Sequence, residues 1–219
     1  MRFQTVLLLL LTTLAPSMLS AQYVDAVGDS QDLMGLGGAL HDIDTVNVHF
    51  DSSNLFFEVL FLTPISAPST GNADAVIGVI ELDTDQLVTT GIPAIQNMFS
   101  PEFGNINGVG TDFLLLLDDS MSPGQGSLLD SGEFLDPISS LISFVPLVYG
   151  PNSISGQLPL SDLGNDDGLV NFTTIVGTNF QPTDASEGVT TSTAVPEPSN
   201  GLLLLSAIAP AFLTRRKRF

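Results

Sequence analysis

Four carboxylates are the residues of this chain best placed to do chemistry together. Glu81, Asp83 and Asp85 alternate along Ala75-Val-Ile-Gly-Val-Ile-Glu-Leu82 and the turn that follows it. Alternate residues of a strand share a face, so Asp83 and Asp85 can point to one side at the strand's end, with Glu81 on the same parity. Asp112 opens a second apolar run, Phe113-Leu-Leu-Leu-Leu117, and closes the group if the two strands pair. Hard cations prefer oxygen ligands of this kind, so Glu81, Asp83, Asp85 and Asp112 form a candidate structural calcium site. A second candidate set is Asp25, Asp29, Asp42 and Asp44 with loop carbonyls. Neither set fits the EF-hand loop, whose sixth position is glycine, and both would also serve as solvated loop aspartates with no ion.

Other chemistry is thinly represented. The chain has no cysteine, hence no thiol nucleophile, and it contains no Gly-x-Ser-x-Gly elbow, His-Glu-x-x-His helix or Walker loop. A general base would have to be His41 or His49, and both read as surface residues, His41 at a loop edge and His49 on the polar face of its strand. No catalytic residue is predicted.

The elements that must position these carboxylates are strands. From Thr45 to Phe50 apolar and polar residues alternate, and Leu55-Phe-Phe-Glu-Val-Leu-Phe-Leu62 follows the turn residues Asp51-Ser-Ser-Asn54. This is a hairpin whose second strand is central in a sheet. Further strands are expected at 75–82, 113–117, 132–135, 142–149, 153–158 and 169–176, with Pro146 at an edge or bulge because it cannot donate to a ladder. A short helix is expected at Pro93–Phe99 and one helical turn at 161–163, capped by Ser161. Seven to nine strands and hardly any helix predict an all-β fold, an antiparallel β-sandwich. The order of Asp25, Gly28-Asp29, Asp42-Ile43, Leu82-Asp83-Thr-Asp85 and Gly110-Thr-Asp112-Phe113 is similar to that of jelly-roll, carbohydrate-binding-type modules of secreted bacterial proteins. The sandwich is therefore expected to be jelly-roll-like.

The charge distribution narrows the partners. All five Lys and Arg residues, Arg2, Arg215, Arg216, Lys217 and Arg218, lie at the chain ends, whereas 23 of the 24 acidic residues fall between Gln22 and Ala194. A body with no Lys or Arg repels nucleic acid and anionic lipid, which bind through those residues. Salt or divalent cations should stabilise it against self-repulsion. With no disulfides, its roughly 170 residues must be held by their core, which a domain of that size can supply.

The ends read as targeting segments. Met1 to Ala21 has the form of a secretory signal peptide: Arg2, an apolar stretch from Val6 to Leu14, and small residues before a cut after Ala21 or Ser20. An uncleaved N-terminal helix is the alternative. Residues 22–180 are assigned to the sandwich. Residues 181–195, rich in Thr, Ser, Pro and acid, are assigned to a flexible spacer. The chain then closes with Val195-Pro196-Glu197-Pro198, an apolar run over 201–214, and Arg215-Arg216-Lys217-Arg218. The prolines hold Glu197 on an extended segment. The basic cluster acts as a stop-transfer signal that keeps the tail cytoplasmic. At about 1.5 Å per residue the membrane helix covers roughly 20 Å of a ~30 Å hydrocarbon core, which suits a transient anchor better than a permanent one.

This arrangement resembles the PEP-CTERM sorting signal of exported bacterial proteins. The resemblance covers only residues 196–219. It implies recognition of Pro196, Glu197 and Pro198 by an exosortase, a membrane-embedded cysteine protease. It also implies passage from an inner-membrane intermediate to the cell surface or to extracellular polysaccharide. An ordinary membrane anchor that is never cut is the alternative. For the body, the expectation is a non-catalytic surface or matrix protein, with a sugar-binding module or a secreted hydrolase as the competing readings.

Overall fold

The computed structural model describes residues 21–30, 40–72, 75–87, 90–91, 110–131, 140–164, 169–178, 181–186, 190–191 and 193–194. The targeting segments apart from Ala21, the helix expected at Pro93–Phe99 and the strand expected at 132–135 lie outside these residues. Among the described residues no helix is long and apolar enough to cross a membrane.

The described chain is almost entirely β-structure: β1 (Ala21–Val24), β2 (Ile43–Phe50), β3 (Asn54–Phe61), β4 (Ile77–Asp83), β5 (Phe113–Leu117), β6 (Gln125–Asp130), β7 (Leu141–Tyr149), β8 (Ser153–Pro159), β9 (Asn171–Thr178), β10 (Gln181–Ala185), β11 (Thr190–Thr191) and β12 (Thr193–Ala194). Ten strands follow one hydrogen-bonded path, β1-β2-β3-β8-β7-β6-β5-β4-β9-β10, with β11 beside β9 and β12 beside β2. Every pair on the path is antiparallel, and the β12–β2 pair is parallel. The path curls into a half-barrel rather than dividing into two separate sheets, because β7 belongs to both halves. Its first part pairs with β6 and its last three residues with β8. Pro146 stands where the partner changes, a position that tolerates the missing donor.

Curling brings both halves onto one core. Val46, Val48, Phe57, Val59 and Ile154 from the β2-β3-β8 side pack with Ile80, Leu82, Leu115, Leu117 and Phe172 from the β5-β4-β9 side. On the first side burial alternates strictly along β3, whose other face is half-buried. The second side has a further apolar cluster, Val79, Leu114, Leu129, Ile175 and Ala185, on its opposite face. Burial on both faces explains why β4 and β5 are nearly continuous apolar runs while β2 alternates.

Several details differ from the sequence reading. β6 was not expected: Gln125-Gly-Ser-Leu-Leu-Asp130 offers only two apolar side chains, but both are buried, one in each cluster. The turn at 160–163 is a 3-10 helix preceded by Pro159 with no side-chain cap, so Ser161 is not its capping residue. The largest correction concerns the spacer. Gln181–Ala185 forms β10 against β9, and Gln181, Thr183, Asp184, Ala185 and Ser186 are all buried. Apart from Ala185, which joins the second apolar cluster, this segment is held by hydrogen bonds. Thr174 N–H donates to Ser186 Oγ (2.8 Å), and the Thr183 hydroxyl donates to His41 O (3.2 Å).

Candidate metal centre

The end of β4 and the start of β5 are brought together by their register, which pairs Leu82 with Phe113. Asp112 N–H donates to Leu82 O (2.9 Å), which sets Asp112 beside Asp83. The chain then loops back. Thr84 donates its N–H (2.9 Å) and its hydroxyl (2.8 Å) to Asp112 Oδ2. Asp85 Oδ1 accepts from Leu87 N–H (2.8 Å) and from the Thr90 hydroxyl (2.9 Å). Two glycines permit this close approach. A Cβ on Gly110 would lie 2.2 Å from Leu87 O, and one on Gly91, at φ +68°, would lie 2.1 Å from Thr111 O.

The result is a group of three carboxylates, Asp83, Asp85 and Asp112, each offering an oxygen within 4.8 Å of the others. Two calcium–oxygen bonds of about 2.4 Å cover such a span. Asp83 is fully buried: its Oδ2 accepts from Asn171 Nδ2 (3.2 Å), and its Oδ1 has no hydrogen-bond partner. Burial, with the neighbouring charges of Asp112 and Asp85, pushes the Asp83 carboxyl above its ordinary range. The Leu87 N–H and the Thr90 hydroxyl hold exposed Asp85 below it. Glu81 stands outside this group. It lies two residues, roughly 7 Å, further into the strand, fully buried between Leu114 of β5 and Thr173 of β9.

A second group consists of Asp25, Asp29 and Asp184, again with oxygens within 4.8 Å of one another. Asp25 and Asp29 follow β1, and Asp184 belongs to β10. Of the four residues expected here, Asp25 and Asp29 take part. Asp42 lies alongside, its Oδ2 accepting from Gly28 N–H (2.8 Å). Asp44 does not join, because the β2–β3 pairing slips between Ile43 and Thr45 and leaves Asp44 as the extra residue of a bulge. Sequence reasoning missed Asp184, having assigned it to the spacer. A bulge also adjoins it: the β9–β10 register shifts between Pro182 and Asp184. Asp184 Oδ2 accepts from Ile43 N–H (2.6 Å) and Oδ1 from Ala185 N–H (2.8 Å). Burial raises the Asp184 carboxyl to about 8, with the charges of Asp25 and Asp29 adding to the shift. Burial likewise raises Asp25 to about 6 despite its bond from the Tyr23 hydroxyl.

Asp119 provides a contrast. It is buried, yet Ser69 N–H (2.8 Å), the Ser69 hydroxyl (2.7 Å) and Gly124 N–H (2.9 Å) all donate to it. Burial pushes this carboxyl up, and the donors outweigh it, so its pKa is lowered. The histidines form no such group. His49 stacks on Phe56 at 5.0 Å. His41, expected at the surface, is buried with its ring edge-on to Phe61 because its backbone is tied to Thr183. Pro196, Glu197, Pro198 and Arg215, Arg216, Lys217 and Arg218 lie outside the described residues.

Comparison of the chain with models of known protein families gives no match. Comparison with curated proteins gives none either.

Proposed function

We propose that this is a non-catalytic exported surface or extracellular-matrix protein with a calcium-bearing all-β body. In this reading the two halves of the curled path act as a jelly-roll-like sandwich around their common core. The signal peptide directs export, residues 201–214 hold an inner-membrane intermediate, and an exosortase reads Pro196, Glu197 and Pro198. The body then passes to the cell surface or its exopolysaccharide.

The observation that carries this reading is the convergence of Asp83, Asp85 and Asp112 in a body with no Lys or Arg. The domain has no basic side chain of that kind to balance the group, so a cation from the medium does so. The carboxylate set and its span suit calcium. Mass spectrometry of the released protein tests the sorting half: the product is expected to begin near Ala21 and to end before the apolar run. A released product that still carries Arg215 to Arg218 overturns it. Thermal melts test the calcium half, since calcium should raise the melting temperature well beyond sodium at equal ionic strength. Equal effects would leave only screening of the negative charge.

One observation favours a second reading, a carbohydrate-binding module. Phe144, Pro146 and Val148 are exposed at alternate positions of β7, Phe144 at 56% and Val148 at 64%. Aromatic faces of this kind stack on sugars. Both tyrosines are engaged elsewhere, Tyr149 donating to Leu117 O (3.0 Å) and Tyr23 to Asp25, so Phe144 would carry the contact. Glycan-array binding abolished by Phe144→Ala would establish this reading in place of the first. A hydrolytic turnover in a substrate panel would overturn both.

A further inference from the structure

We propose that Asp25, Asp29 and Asp184, with Asp42 at their side, form a second calcium site that clasps β1 and β10 to the start of β2. This goes beyond the function proposed above and does not depend on calcium at the β4–β5 group.

Three features point to a cation here. Asp25 and Asp42 are more than nine-tenths buried, and each keeps one carboxylate oxygen, Asp25 Oδ2 and Asp42 Oδ1, without a hydrogen-bond partner. Asp29 Oδ1 is in the same condition. A buried carboxylate oxygen with no donor is costly, and Asp119 demonstrates that this fold can supply donors to a buried acid where no ion is needed. Next, the ligand oxygens of Asp25, Asp29 and Asp184 share one small volume. Finally, the backbone is shaped around that volume. Bulges interrupt β2 at Asp44 and β10 at Thr183. Gly28, at φ +83°, turns the loop after β1 so that its N–H meets Asp42. Bulges commonly re-aim side chains beside functional sites.

The site joins parts of the chain that are far apart in sequence. Asp25 N–H donates to Asp44 O (3.0 Å), and Ile43 N–H donates to Asp184 Oδ2 across 141 residues. A divalent ion bridging Asp25, Asp29 and Asp184 therefore ties the first strand of the domain and its last long strand to one point of β2. Extracellular modules bind calcium with dissociation constants of about 10⁻⁴–10⁻³ M, and this clasp is expected in that range. It would close once the protein meets the calcium outside the cell.

The test uses the full chain in detergent, stripped with chelator and titrated with calcium chloride by calorimetry, with hydrogen exchange read at Gly28 and Ile43. The wild type is expected to bind two calcium ions per chain. D85N should lose one of them and leave the slowing of exchange at Gly28 and Ile43 intact. D29N should lose the other, with at least a tenfold weaker affinity and no slowing at those two amides. D184N should behave as D29N does. If D184N fails to fold, D29N decides, since Asp29 is only partly buried at the edge of the group. Calcium binding and amide protection unchanged in D29N overturn the clasp, as does equal protection by sodium at matched ionic strength. A single ion lost in D29N but kept in D85N supports the clasp and removes the β4–β5 site, so the two readings fail separately.

Discussion

The two aspartate groups have the same composition, each with its oxygens within 4.8 Å of one another, yet they are built from different distances along the chain. Asp83 and Asp85 leave one strand and Asp112 enters its direct neighbour, so pairing of β4 with β5 is enough to assemble them. Asp25 and Asp29 come from the first strand's exit and Asp184 from β10, so they meet only when the whole half-barrel has formed. If both groups bind calcium, the same chemistry would act as a local staple in one place and as a check on closure in the other.

The largest test of this comparison is calcium itself. At a concentration one hundred times the dissociation constant, each occupied site adds about 2.7 kcal/mol. Two sites should together raise the melting temperature by roughly 10 °C or more for a domain of this size. D85N and D29N should each remove about half of that gain. Failure of either to reduce it would assign the stabilisation to the remaining group.

The pH dependence separates the groups as well. In the folded protein without calcium, Asp25 and Asp184 titrate near 6 and 8, whereas in the unfolded chain both have released their protons near the ordinary aspartate value of about 4. Between these limits the folded state binds more protons. Calcium-free stability therefore falls as pH rises from about 4 to about 8. Calcium displaces those protons, so its stabilising effect grows over the same interval. Urea melts at pH 5 and pH 8, with chelator and with calcium, check both signs. In D184N the decline of calcium-free stability should flatten.

Next in size is Gly110→Ala, which inserts a methyl group against Leu87 O. Overpacking of this kind costs about 1–3 kcal/mol. It should weaken calcium binding at the β4–β5 group and leave Gly28 and Ile43 protected by calcium as in the wild type. Asp119→Ala should cost about 1–2 kcal/mol by stripping the Ser69 and Gly124 donors of their acceptor, and by the same amount with or without calcium. The smallest effect is that of Phe144→Ala, expected within about 0.5 kcal/mol because the ring is exposed. A larger loss in thermal melts would mean that this strip packs against something.

The comparison also explains what the sequence made legible. Strands β2, β3, β4, β5, β7, β8 and β9 announce themselves through apolar alternation or apolar runs, since their burial is largely hydrophobic. The first aspartate group could be read because strand parity and one pairing suffice to place Asp83, Asp85 and Asp112. Glu81 has the right parity but lies too deep in the strand. Asp184 could not be read, because Gln181-Pro-Thr-Asp-Ala185 contains almost nothing apolar and is buried through hydrogen bonds to β9 and to the start of β2. Asp44 was misplaced for a related reason: a one-residue bulge cancels the periodicity on which parity rests. Both failures lie where the backbone departs from regular pairing, around the second group.

The pairing of β1 and β12 with β2 fixes where the described body begins and ends. Ala21 lies opposite Val48 and Ala194 opposite Phe50, so the chain enters and leaves the domain side by side at the far end of β2. Removal of the leader after Ser20 would spare β1, whereas removal after Ala21 would trim its first residue. The opposite end of β2 carries Ile43, whose N–H meets Asp184. The clasp proposed for Asp25, Asp29 and Asp184 therefore lies at the end of β2 remote from the two ends of the described body.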